Sequence, residues 1–137
     1  MSFICYEKTT GKIISFSQDS DASAEAYKSD TVEIMIVGDE VRNQMHLLYV
    51  VGGELISRPQ HPCQIDKTTI AADGSDAVTL SGVLQNSTIT ISNIDTDEEI
   101  GGQISGTDTF KTVIAGRYKL KLKCWPYLDR EEIINAI

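Results

Sequence analysis

The chain has 137 residues, 41% hydrophobic and 23% charged, which suffices for one good core or two small ones sharing an interface and argues against wholesale disorder. Twenty acidic against twelve basic residues give a formal charge of -8, so the chain repels phosphate backbones and has no basic stripe to release DNA counterions; nucleic acid is not an expected partner. No apolar run approaches the roughly 18 residues of a membrane span, and Met-Ser-Phe-Ile-Cys-Tyr-Glu lacks the basic region and apolar core of a secretory signal, so synthesis in a cytosol and no membrane partner are expected.

In chain order, Phe3 to Lys8 and Lys12 to Ser17 are β-prone runs separated by Thr9-Thr10-Gly11, the spacing of a hairpin. Ser17 to Asp30 turns to Ser, Asp, Ala and Lys and reads as a loop in which Ala22 to Tyr27 has room for one helical turn. Thr31 to Val37 reads as a strand ended by Gly38-Asp39. Met45 to Val51 then meets Glu54 to Ser57 across Gly52-Gly53, whose freedom at positive φ suits a two-residue hairpin turn. Two prolines in Arg58-Pro59-Gln60-His61-Pro62 stop helix and ladder alike, which places a boundary between an N-terminal hairpin-rich β unit, residues 1–60, and a second unit, residues 61–137.

Beyond it, strands are predicted near Gln64–Ile70, Ala77–Ser81, Thr88–Ser92, Glu99–Ser105, Asp108–Ile114, Arg117–Lys123 and Glu132–Ile137. Asp73-Gly74, Asn86, Gly101-Gly102, Gly106 and Gly116 serve as punctuation between them. Seven short strands at this spacing predict an all-β chain whose second unit is an immunoglobulin-like β-sandwich. The antibody-type pin is missing, because Trp125 directly follows Cys124 instead of lying between two cysteines. From Tyr118 to Cys124 the alternation is plain: Tyr118, Leu120, Leu122 and Cys124 should face a core, and Lys119, Lys121 and Lys123 water.

Tyr49-Val50-Val51-Gly52-Gly53-Glu54-Leu55-Ile56-Ser57-Arg58-Pro59, followed by Asp66-Lys67-Thr68-Thr69-Ile70-Ala71-Ala72-Asp73-Gly74, resembles small structural proteins of tailed bacteriophages, in particular fibre and tail-associated proteins. Gly116-Arg117-Tyr118-Lys119-Leu120 and Trp125-Pro126-Tyr127-Leu128-Asp129-Arg130-Glu131 are similar to the last strands of bacterial and phage immunoglobulin-like modules. The acidic stretch Asn93 to Glu99 and the polar stretch Asp39 to Met45 depart from that pattern. The resemblance covers most of the chain. It implies a virion component made in the host bacterial cytoplasm, as tail, collar, head fibre or capsid decoration, with other virion proteins as partners and copies repeated as a homo-oligomer. Two other roles stay open at this point: a carbohydrate- or receptor-binding module reading a host-surface glycan, and a fibre-assembly chaperone.

Few residues suggest chemistry. Asp95, Asp97, Glu98 and Glu99 bring four carboxylates together, but no glycine and no closing Glu complete a calcium loop, so a solvated turn is the expectation. His46 and His61 have no second ligand at metal spacing, and Cys5, Cys63 and Cys124 are too far apart for a zinc knuckle or a C-x-x-C pair. Pairing of Cys63 with Cys124 is left open. Gly102-Gln103-Ile104-Ser105-Gly106 misses the nucleophile elbow, and Gly11-Lys12 lacks the phosphate-loop glycine upstream. No catalytic residue, cofactor or metal is therefore assigned. Tyr6, Tyr49, Trp125 and Tyr127 are the candidate interface residues, since rings in strands and turns either plug a core or anchor a partner.

Overall fold

The structure, a computed structural model, describes residues 1–18 and 24–137. The part of the Ser17 to Asp30 loop that falls on 19–23 lies outside the described residues; after it, the Tyr27 N–H closes a turn on the Ala24 carbonyl at 3.0 Å. The described chain divides into two compact units, Met1–Pro59 and Gln60–Ile137.

In the first unit, β1 (Ser2–Glu7) is the centre of an antiparallel three-stranded sheet, flanked by β2 (Ile13–Gln18) and β3 (Val32–Val37). Its alternate residues are buried on both faces. Phe3 and Cys5 pack with Ala24, Val32 and Ile34, while Ile4 packs with Val41 and Val50. Burial on both sides explains why Ser2–Cys5 reads as an unbroken buried run instead of an alternating one. The β4 (Leu48–Val51) and β5 (Glu54–Ser57) hairpin turns at Gly52 and Gly53 with φ of +57° and +79°, as their sequence predicts. Met45–Leu47, expected as the start of that strand, is instead a 3-10 helix, and Asp39–Asn43 before it is another. The apolar side of that turn still reaches the core through Val41 and Met45.

The second unit holds β6 (Gln64–Ile65), β7 (Thr69–Ile70), β8 (Val78–Asn93), β9 (Glu99–Phe110), β10 (Gly116–Lys123) and β11 (Arg130–Ala136). They form one sheet in the order β6-β8-β10-β11-β7, with β9 on β8. Only Asp66, Lys67 and Thr68 join β6 to β7, so these two strands start and end at most about 14 Å apart. Laid flat, the four gaps between them would take about 19 Å. The sheet must curl. It does so around a core that includes Ile70, Val78, Leu80, Leu120, Leu122 and Ile134.

The curl is built into β8. From Leu80 to Ser87 the chain takes seven steps while β9 takes four, Asp108 to Ile104, so β8 carries three extra residues there. Gly82 and Asn86, at φ of +68° and +69°, absorb them. Two pairs of expected short strands thus merge into two long ones, the second of which ends at Phe110, so that residues 111–114 of the expected strand Asp108–Ile114 lie outside it. Asn86, Gly106 and Gly101-Gly102 lie within a continuous bent hairpin and do not end strands, because residues that favour turns also favour bulges. Within β10, Tyr118, Leu120 and Leu122 are buried and the alternating lysines point away, as expected. The chain is all-β, with a three-stranded N-terminal sheet and a larger curled half-barrel sheet consistent with a β-sandwich-like fold.

Candidate functional site: an apolar groove on an open strand

Ser87 and His61 form the arrangement closest to chemistry. The Cys63 N–H donates to His61 Nδ1 at 3.1 Å, so in the neutral ring the proton sits on Nε2. Nε2–H then donates to Ser87 Oγ at 3.0 Å, and Ser87 O–H donates to the Leu84 carbonyl at 2.6 Å. A serine nucleophile needs the opposite polarity, with its own proton directed at the imidazole. Ser87 is also fully buried. Burial, and behind it the Arg130 charge, holds the His61 pKa below its ordinary 6.5, which keeps the ring neutral. Burial pushes the Cys63 thiol up and so disfavours its thiolate. The group is a structural pin: Arg130 Nη1 donates to the Cys63 carbonyl, and the Tyr127 ring packs edge-on to His61 with centroids 5.8 Å apart.

A polar depression of about 460 Å³ lies beside this pin, lined by Gln60, His61, Leu128, Asp129, Arg130 and Glu131. Its charged groups are tied to neighbours: Glu131 pairs with Lys119 and Lys121, Asp129 with Lys121, and Arg130 with Glu132. The lysine row on β10 is neutralised by the same pairs at two of its three members.

The acidic stretch 95–99 makes the β8–β9 turn. Asn93 Oδ1 accepts the N–H groups of Asp95 and Thr96, Asp97 sits at φ +60°, and Asp95 faces Arg117. Among the described residues no three His, Cys, Asp or Glu side chains converge to hold a metal ion. Cys5, Cys63 and Cys124 are free and buried, so the Cys63–Cys124 bond left open above is not formed.

The feature with the character of a contact surface is the concave side of β9. Cross-strand partners share a face, so Ile100, Gly102 and Ile104 lie beside Ile91, Ile89 and Ser87, and Phe110 beside Val78. Gly102 adds no side chain to that face. The result is an apolar cavity of about 240 Å³ lined by Leu80, Ile89, Ile91, Ile100, Ile104 and Phe110 among others, and it continues past Ile100 and Phe110 to Ile114. Of the groove's apolar lining, Ile100 is 65% exposed and Ile114 55%, so its rim is bare apolar surface. No protein family, curated protein or solved structure matches the chain.

The four aromatic candidates fall in two places. Tyr6 and Tyr49 stand in β1 and β4 of the first unit, half-buried, with Tyr6 against the core there. Trp125 and Tyr127, also half-buried, occupy the turn after β10, closed by the Tyr127 N–H on the Cys124 carbonyl at 2.7 Å. None of them lines the β9 groove. That groove escapes a sequence reading because Gly101-Gly102 looks like a turn; the clue is that Ile100, Ile104 and Phe110 are all even-numbered, the spacing of one strand face.

Proposed function

We propose that the chain is a non-enzymatic structural component of a tailed-phage virion, acting through protein–protein surfaces in a tail, collar, head fibre or capsid decoration. Its second unit serves there as an immunoglobulin-like module. The observation that carries a surface role is the apolar groove along β9, where the exposed Ile100 and, at its end, Ile114 have cost without benefit unless something covers them. The residues that could do chemistry support the same reading, because His61, Ser87 and Cys63 are committed to each other and to backbone groups. Avidity from many copies around a symmetric particle makes individually weak contacts effective. Mass spectrometry of purified particles tests the assignment: the chain at stoichiometric copy number supports it, and a chain present in infected cells but missing from particles overturns it in favour of an assembly chaperone.

A further inference from the structure

β9 offers more than an apolar face. Among the described residues it pairs with β8 alone, and β6 and β10 lie on the far side of β8, so one whole edge of a twelve-residue strand is open. At about 3.4 Å per residue this edge is about 40 Å long. Open edges are ordinarily blunted by Lys, Pro, bulges or brevity. From Glu99 to Phe110 there is no Lys and no Pro; the blunting devices present are Gly106 at positive φ, beside the bulged part of β8, and Asp108 on the groove side.

We propose that a second copy of this chain pairs with this edge, β9 against β9, antiparallel about a twofold axis at Ser105. The inference rests on the surface role proposed above and names the occupant. Opposed residues in an antiparallel pair share a face, so joining the two concave faces requires even positions to meet even positions. The register centred on Ser105 sets Ile100 opposite Phe110 of the second copy and Glu99 opposite its Lys111, each twice by symmetry. Asp108 then faces Gly102, where space is open beyond the backbone. Shifting the centre to residue 104 puts Ile100 against Asp108 and Glu99 against Thr109. Shifting it to residue 106 puts Glu99 against Val113 and Ile100 against Thr112. Only the Ser105 register joins opposite charges and apolar partners together, and that complementarity favours a second copy over an unrelated strand.

The test uses the full chain with substitutions at the exposed Glu99, Ser105 and Lys111 and at the half-buried Ser92. Ser105→Cys should form an intermolecular disulfide on mild oxidation, since directly opposed Cβ atoms lie about 4.5–5.5 Å apart, whereas Ser92→Cys on β8 should not. In sedimentation velocity the wild type should show a concentration-dependent dimer. Glu99→Lys and Lys111→Glu should each weaken it about tenfold, because two symmetric pairs turn from attraction to repulsion, and Glu99→Lys with Lys111→Glu should restore it. A wild type that stays monomeric at every concentration, a Ser105→Cys variant that cross-links no better than Ser92→Cys, or a double swap that fails to restore the dimer overturns the inference. A monomeric chain found at stoichiometric level in particles overturns the pairing alone and leaves the virion assignment standing.

Discussion

Ser87→Ala is the sharpest perturbation of the buried pin. It removes the acceptor of His61 Nε2–H and the donor to the Leu84 carbonyl in one step. Leu84 is half-buried and its carbonyl can recruit water, so the larger loss is the orphaned imidazole N–H, in a ring that is itself buried. An unsatisfied buried donor costs about 1–3 kcal/mol, which puts the expected destabilisation near 2 kcal/mol. With a urea slope of about 2 kcal/mol/M, the midpoint of unfolding falls by about 1 M. Trp125 is the chain's single tryptophan and lies in the second unit, so its fluorescence follows that unit specifically. A change below about 0.5 kcal/mol would refute the hydrogen-bond assignment. So would labelling of Ser87 by a serine-reactive phosphonate, since a hydroxyl donating to a carbonyl in a closed interior should not react.

Because His61 has its folded pKa below the unfolded value of 6.5, the unfolded chain takes up that proton first; stability should hold above that pH and decline as pH falls through it, with the decline relieved in His61→Gln and read by urea midpoints across the range. Leu120→Ala, at a fully buried position in the middle of the curled sheet, should cost about 2–5 kcal/mol in the same assay, and a cost under about 1 kcal/mol would contradict the packing described. Gly11→Ala should destabilise the first unit by more than about 1 kcal/mol in thermal unfolding, because Gly11 stands at φ +72° and an added Cβ would run into the Val50 carbonyl oxygen; a neutral result would contradict the turn geometry. On a glycan array no sugar binding that Trp125→Ala or Tyr127→Ala removes is expected, and such binding would favour a carbohydrate-reading role.

The parts of the fold legible in the sequence are those fixed by neighbours along the chain. Gly52-Gly53 between two apolar runs specifies its hairpin locally, and Tyr118 to Leu122 announces its buried face by alternation alone. What was not legible depends on distant partners. Asn86 and Gly106 have the same chemistry whether they end a strand or kink it, and only the strand opposite decides. Met45–Leu47 is apolar enough for a strand but follows a 3-10 turn that continues into it. The His61–Ser87 bond joins residues 26 apart with no local pattern to mark it. The groove required knowing that β9 is an edge, which is a property of the whole sheet.

Hydrogen exchange followed by mass spectrometry, at low and high concentration of the full chain, tests the central claim most directly. Amides of 99–110 that face away from β8 should exchange rapidly in dilute solution and become protected as concentration rises, while β10 and β11 stay protected throughout. Equal and unchanging exchange along β9 at all concentrations would contradict an open edge that works by taking on a partner strand.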